Sequence, residues 1–205
     1  MERSSLALLA CPECLAGLNL QAAQVDPVLD GSLHCPACQK AYPIRQGVPH
    51  FIQAAELTGL NRRFASLYDR FAWAYQPFLR IAFAIIGISE ERARREILDR
   101  LEAEGGKVLE VSIGPGGNLP FLVERPDVGQ VYGLDISLGQ LRRCQAYIRR
   151  KGWPVDLFLG NAEALPFQDG AFDSLVHIGG INFFNDKKKA IDEMIRVVRP
   201  GARIL

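Results

Sequence analysis

The chain has 205 residues, of which 48% are hydrophobic and 23% charged, with a formal net charge of +1. This balance excludes a disordered polyelectrolyte, a collagen-like repeat and a supercharged nucleic-acid-binding tail. The length allows one or two domains with a real core, and charge alone names no partner.

At the start of the chain, residues 6–10 are too few for the apolar region of a signal peptide, which takes about 7–15 residues. They read as a short strand leading into Cys11. The apolar stretch 71–88 is interrupted by Gln76, Pro77 and Arg80, and falls short of the roughly 20 apolar residues of a spanning helix. It reads as a buried or substrate-facing helix. The protein is therefore expected to be soluble and cytoplasmic, with no transmembrane segment.

Four of the five cysteines form two pairs, Cys11-Pro12-Glu13-Cys14 and Cys35-Pro36-Ala37-Cys38, with twenty residues between them. A Cys-x-x-Cys turn lets two thiolates converge on one ion, and two such turns supply the tetrahedral set that zinc favours. Such a site is structural, because four thiolates leave no open position for water. The other readings, disulfides or a redox pair, call for an oxidising compartment or an adjacent βαβ unit. Residues 42–51 read as strand, turn, strand. With the knuckles, the region 6–52 resembles the zinc-ribbon domain of small activator subunits of tRNA and release-factor methyltransferases. His50 is an alternative ligand candidate, but with four cysteines available it reads as a surface or packing residue, and Cys144, in a predicted helix, as a reduced, packed thiol.

Residues 58–104 read as a helical linker or cap. Phe64, Leu67, Tyr68, Phe71 and Tyr75 recur at three and four residues over 61–75. Ser89 is an N-cap candidate ahead of Glu90 and Glu91, and its helix stops before Gly105-Gly106. The aromatic stripe is either core packing or a cap over a ligand pocket.

From Lys107 the pattern alternates between strand and helix. A buried strand at 108–113 runs into Gly114-Pro115-Gly116-Gly117-Asn118, a loop whose backbone can approach a ligand closely. It is not the dinucleotide fingerprint, since Leu119 stands where the third glycine is needed. A second strand ends at Asp135, 19 residues after Gly116, where a carboxylate can accept from both hydroxyls of a ribose. A helix over 138–151, strands at 155–159 and 174–178, a helix over about 187–198 and a fifth strand from Ala202 complete the series.

This series resembles a class I S-adenosylmethionine-dependent methyltransferase of the type 11 sort, over residues 62–205. The resemblance rests on Glu110 to Gly116, Asp135, the run Ala162 to Asp173, and Arg196-Val197-Val198-Arg199-Pro200-Gly201 taken together. It implies an α/β fold: a Rossmann-like parallel sheet of about five strands, preceded by helices and a small β zinc ribbon. The implied units are a ribbon (1–57), a helical segment (58–104) and a cofactor-binding domain (105–205). It also implies S-adenosylmethionine and structural zinc as cofactors, the latter on Cys11, Cys14, Cys35 and Cys38. Glu110 would approach the methionine amino end. Ser112, Gly114 and Gly116 would make room for the cofactor, and Asp135 with Ile136 would take the ribose region. Asn161, Ala162 and Glu163 would sit at the adenine edge. His177 would lie near the methyl group and is the candidate base. Two residues depart from the family pattern: Ser112 replaces a glycine, and Asn161 an aspartate.

Methyl transfer from a sulfonium is an in-line displacement that needs alignment and dryness more than a catalytic triad. The segment 177–182 lacks the Asn/Asp-Pro-Pro-aromatic motif of adenine and glutamine methyltransferases, and also a Pro-Cys pair. A small-molecule acceptor is expected, with a likeness to quinone-biosynthesis methyltransferases in Leu165-Pro166-Phe167 and Phe172-Asp173. An RNA methyltransferase is the alternative, because ribosomal RNA guanine methyltransferases also carry zinc modules and Arg142, Arg143, Arg149, Arg150 and Lys151 form a modest basic face. A non-catalytic interaction module is the third reading. The family usually continues with another helix and an antiparallel strand pair after strand five, so the chain reads as a shortened version. Its exposed fifth strand is expected to favour a homodimer.

Overall fold

The computed structural model describes residues 1–63, 65, 66 and 89–205. The stretch 71–88 and the far part of the expected 61–75 helix lie outside them; residues 59–63, 65 and 66 are helical.

The N-terminal part is a four-stranded antiparallel sheet in the order β1-β2-β3-β4, formed by Asn19–Ala22, Gly31–His34, Ala41–Arg45 and Val48–Pro49. Gln46 (φ 52°) and Gly47 (φ 84°) make the two-residue turn between β3 and β4. Left-handed backbone at both positions matches the twist of a tight hairpin. The strand expected at 6–10 is instead a 3-10 turn over Arg3–Leu8, followed by isolated bridges at Leu9 and Ala10.

The second sheet is parallel throughout. Its strands β5 (Gly106–Val111), β6 (Val128–Asp135), β7 (Val155–Leu159), β8 (Phe172–Val176) and β9 (Val198–Ile204) lie in the order β7-β6-β5-β8-β9. Four helices accompany it: α1 (Glu90–Leu98), α2 (Leu119–Val123), α3 (Leu138–Lys151) and α4 (Lys187–Arg196). Strands covered on both faces read as continuous apolar runs, which is why β5 to β8 lack a polar alternation. Along β5 and β6, Leu109, Val111, Tyr132 and Leu134 face one core, shared with Ala190 and Met194 of α4. Val108 and Val131 face the other, shared with Leu98, Leu119, Leu141 and Ile148.

Two strands differ from the sequence reading. β8 begins two residues earlier, so His177 lies just past its end. β9 takes in Arg199-Pro200-Gly201, expected as a turn. Proline is tolerated there because β9 is the edge of the described sheet, and the register jumps from Phe172↔Val198 to Ser174↔Arg203 to absorb the irregular residues.

The ribbon and the parallel sheet share one apolar core, in which Leu33, Ile44 and Phe51 belong to the same cluster as Phe158, Phe167 and Phe172. Backbone bonds reinforce it. The Ala10 amide donates to the Pro166 carbonyl (3.0 Å), that of Gln168 to Leu8 (2.8 Å), and that of Phe51 to Leu159 at the end of β7 (2.8 Å). The Asp156 carboxylate accepts from the Glu2 amide and from the Ser5 hydroxyl. No helix among the described residues is long and apolar enough to cross a membrane.

Arg196, at the end of α4, ties the loop before β8 to the helix. It donates to the carbonyls of Phe167 (2.7 Å) and Leu165 (3.0 Å) and pairs with Glu193, whose other oxygen contact is the Leu165 amide. Removing one partner leaves several half-buried acceptors unmet, so Arg196→Ala is expected to cost about 2 kcal/mol. Urea unfolding would show this as a lower midpoint at unchanged slope.

Candidate functional site

The C-terminal ends of β5, β6, β7 and β8 surround a cleft that is partly open to solvent. Open α/β sheets bind ligands at this edge, where loops leave the strands. From β5 come Ser112 and Gly114; from β6, Leu134, Asp135 and Ile136, with Gln140 of α3 behind them; from β7, Gly160, Asn161 and Ala162. The loop after β8 adds Ile178, Gly179, Gly180, Phe183 and Phe184, and Asn61 approaches from the helical segment.

Asp135, 7% exposed, clips two loops together. Its Oδ2 accepts from the Gly114 amide (2.8 Å) and its Oδ1 from the Ser137 amide (2.8 Å). The glycine loop needs its glycines for different reasons. Gly114 (φ 57°) opens onto free space, whereas a Cβ on Gly116 (φ 86°) would lie 2.8 Å from Leu119 and 2.9 Å from the Cys144 sulfur. Ser112 takes φ 61° without being glycine, a conformation that costs an L-residue about 1–2 kcal/mol.

Glu110 is 2% exposed and lies beneath this loop. Its Oε1 accepts from Asn118 Nδ2 (2.7 Å), and Asn118 Oδ1 in turn accepts from Arg94 of α1, which pairs with Glu90. Its Oε2 is buried without a partner among the described residues. Burial pushes the Glu110 carboxyl up to about 8, against the opposing pulls of Asn118 and Arg94. The unmet acceptor fits a cationic N–H donor, and an ammonium placed there would draw the proton off.

The remaining expected residues are not all at the cleft. Asn161 and Ala162 line it, and Asn161 Oδ1 accepts from the Glu163 amide (3.0 Å). The Glu163 side chain turns elsewhere: its Oε1 accepts from Asn61 Nδ2 (2.8 Å) and the Asn185 amide (2.7 Å), joining the helical segment to the loop after β8. His177 is not part of the cleft lining. Its Nδ1 sits 3.0 Å from the Val111 carbonyl, its ring packs 5.3 Å from Phe184, and its Nε2 is buried without a partner among the described residues. A carbonyl only accepts, so the ring proton is on Nδ1 and Nε2 offers a lone pair. Burial lowers the pKa of this imidazole, keeping it neutral, while the Val111 contact works the other way. Sequence reasoning missed Gln140, Phe183, Phe184 and Asn61. Phe183-Phe184, an apolar pair in a loop before the Asp186 helix cap, was the available signal.

A second site lies in the ribbon. The four sulfurs of Cys11, Cys14, Cys35 and Cys38 all fall within 4.8 Å of one another, with Cys11–Cys38 at 3.5 Å and Cys14–Cys35 at 3.4 Å. Zinc–sulfur bonds of about 2.3 Å in a tetrahedron put sulfurs about 3.8 Å apart, so the donor set fits zinc. The Cys38 amide donates to Cys35 Sγ (3.4 Å), as a knuckle turn requires.

Comparison with known proteins agrees with both parts. Residues 109–205 match the family described as a methyltransferase domain, and residues 3–47 the one described as Trm112p-like protein. The chain is similar to demethylmenaquinone methyltransferase of Renibacterium salmoninarum, 37% identical over 117 residues, 56% of this chain and 46% of that protein. Another relative is phthiotriol/phenolphthiotriol dimycocerosates methyltransferase 1 of Mycobacterium ulcerans, 31% identical over 140 residues, 65% of this chain and 50% of that one. The chain thus spans about half the length of these relatives. A chain from a complex containing the Haloferax volcanii Trm112 methyltransferase activator shares the fold, with a TM-score of 0.54 at 22% identity over 66% of this chain and 57% of that one.

Proposed function

We propose that this chain is an S-adenosylmethionine-dependent methyltransferase that acts on a small-molecule acceptor in the cytoplasm. The observation that carries this reading is the buried Glu110 Oε2, without a partner among the described residues, beneath a glycine loop that Asp135 clips at the mouth of the cleft. The cofactor supplies an electrophilic methyl group on a sulfonium. Glu110 would accept from its ammonium. Asp135 would accept from the ribose hydroxyls. Ile136, Asn161 and Ala162 would border the adenine, while Gly114 and Gly116 leave the backbone open to the ligand. His177 would take a proton from the acceptor, and Phe183 and Phe184 would exclude water from the transfer. The same reading divides the chain into a ribbon (1–57), a helical segment (58–104) and a cofactor-binding unit (105–205), with structural zinc on the four thiolates.

The aromatic and aliphatic wall of the cleft, and the apolar substrates named in both relatives, support a small apolar acceptor. One observation favours RNA instead. Arg142, Arg143, Arg149, Arg150 and Lys151 of α3 are exposed and, among the described residues, none pairs with a carboxylate; Arg150 and Lys151 lie over Tyr147 and Trp153. Steeply salt-dependent RNA binding would support that reading. A homodimer through the face of β9 would show in sedimentation as twice the monomer mass.

Calorimetry with S-adenosylhomocysteine tests the main proposal; a folded, zinc-loaded protein that binds none would refute it. The Glu110 carboxyl provides a second measure. Its folded pKa lies above its unfolded value, so the native state holds the extra proton between about pH 4.5 and 8 and stability falls as pH rises through that window. Glu110→Gln is expected to flatten this fall, read as melting temperature against pH. Binding of the ammonium should release a proton, visible at pH 7 as a calorimetric heat that depends on the buffer's ionisation enthalpy.

A further inference from the structure

The glycine loop is held from α1 as well as from β6. Arg94 lies across it: the point where a Cβ on Gly117 would stand is 3.4 Å from the Arg94 Cζ. The guanidinium pairs with Glu90 one turn earlier (2.9 Å), and both side chains are less than a fifth exposed. Its Nη1 donates to Asn118 Oδ1. A guanidinium carries donors only, so the end of the amide that faces it has to be the oxygen. The other end, Nδ2, then faces Glu110 and donates to its Oε1 (2.7 Å). That bond makes Oε1 an acceptor in either protonation state, so the proton of the neutral acid sits on Oε2. Oε2 is the buried oxygen without a partner among the described residues.

We propose that Arg94 is a positioning residue for cofactor binding: by holding the Asn118 amide in one orientation, it keeps Glu110 Oε2 as the edge that receives the ammonium of S-adenosylmethionine. The proposal rests on the methyl-transfer reading given above, in which Glu110 accepts from that ammonium. Arg94 is not among the residues that line the cleft, so it acts through Asn118 and Glu110. Without Arg94 the amide is free to turn over. Asn118 Oδ1 then accepts from the O–H of the acid, and the neutral carboxyl gains a hydrogen bond. The proton that the ammonium has to displace is held more tightly. Loss of the guanidinium charge works in the same direction, because Arg94 and Asn118 are the two pulls that oppose burial at Glu110. The other titratable groups within reach of Glu110 are Asp135 of β6 and the Cys144 thiol of α3, and both stay in place.

The test uses full-length, zinc-loaded protein and S-adenosylhomocysteine, which carries the same ammonium, titrated by calorimetry at pH 7 and pH 9. The amine of the ligand titrates alike with every protein, so the ratio to wild type is the quantity read. Arg94→Met and Arg94→Ala are each expected to bind about tenfold more weakly than wild type at pH 7 and within about threefold of it at pH 9. A Glu110 carboxyl raised by about one unit from about 8 gives those two ratios. In a Glu110→Gln background, which has no proton to lose, the same Arg94 substitutions should change the affinity by less than about threefold at either pH. Weakening by the same factor at both pH values, or weakening that persists in the Glu110→Gln background, overturns the proposal and marks a general loosening of the loop. Wild-type affinity at pH 7 in either Arg94 variant overturns it too. Wild type that binds no S-adenosylhomocysteine overturns the underlying reading instead.

Discussion

Cys35→Ser protein is expected to carry no stoichiometric zinc and to bind S-adenosylhomocysteine about tenfold or more weakly than wild type. Structural zinc sites supply about 10–16 kcal/mol of apparent binding free energy in isolated fingers at pH 7, comparable to the whole stability of an ordinary domain. Cys35 is buried against the core shared by both sheets, so losing the ion loosens more than a surface knuckle. The second half of the expectation follows from where the ribbon is attached. Its residues Leu8, Leu9 and Ala10 hold Pro166, Phe167 and Gln168, and Phe51 holds Leu159. The loop between those anchors contains Asn161 and Ala162 of the cleft. Metal analysis, calorimetry and hydrogen exchange over 160–168 check each link in turn. Stoichiometric zinc in the variant would refute the four-thiolate site. Unchanged cofactor affinity with the metal gone would separate the ribbon from the cleft.

Asp135→Ala is expected to weaken S-adenosylhomocysteine binding about 100-fold or more, equivalent to about 3 kcal/mol. The side chain accepts from two backbone amides, and each bond to a charged acceptor is worth about 1.5–3 kcal/mol when made in a buried site. Without it the Gly114 amide is released and the glycine loop is no longer pinned to β6. Asp135→Asn should fall between the two, because it still offers one oxygen but no charge. The titrations need to be made well below the melting temperature of each variant, with a folded signal recorded alongside. A folded Asp135→Ala protein with wild-type affinity would remove Asp135 from the binding surface.

The parallel sheet was legible because its strands are buried on both faces and bounded by strong punctuation. Ser137 and Gly152 bracket α3 as an N-cap and a left-handed C-cap, so its expected bounds coincide with the observed Leu138–Lys151. The cysteine spacing likewise needed only local geometry to bring four sulfurs together. Where the reading slipped, long-range contacts overrode local preference. The β9 residues Arg199-Pro200-Gly201 carry every mark of a turn, yet the pairing of Val198, Arg203 and Ile204 with β8 on either side takes them into the strand as its irregular stretch. Residues 6–10 look like a strand but find their partners in the loop 166–168, far along the chain, and take up a 3-10 turn first. Glu163 follows the same rule. Its place beside Asn161 in sequence put it at the cleft, while its hydrogen bonds go to Asn61 and Asn185. The cleft wall of Phe183 and Phe184 carries no motif, because an apolar lining needs only hydrophobic side chains of roughly the right size.

The seam between ribbon and sheet also sets an order of events during synthesis. Glu2 and its partner Asp156 are 154 residues apart, and the residues that receive Leu8 and Ala10 come later still. At translation rates of about 5–20 residues per second, the ribbon leaves the ribosome roughly 5–25 s before β7 and its following loop exist. It can close on its metal in that interval, but the face formed by Leu9, Ile44 and Phe51 must wait uncovered. During that time it is an exposed apolar surface on the nascent chain, covered only when the finished ribbon docks onto a newly made strand.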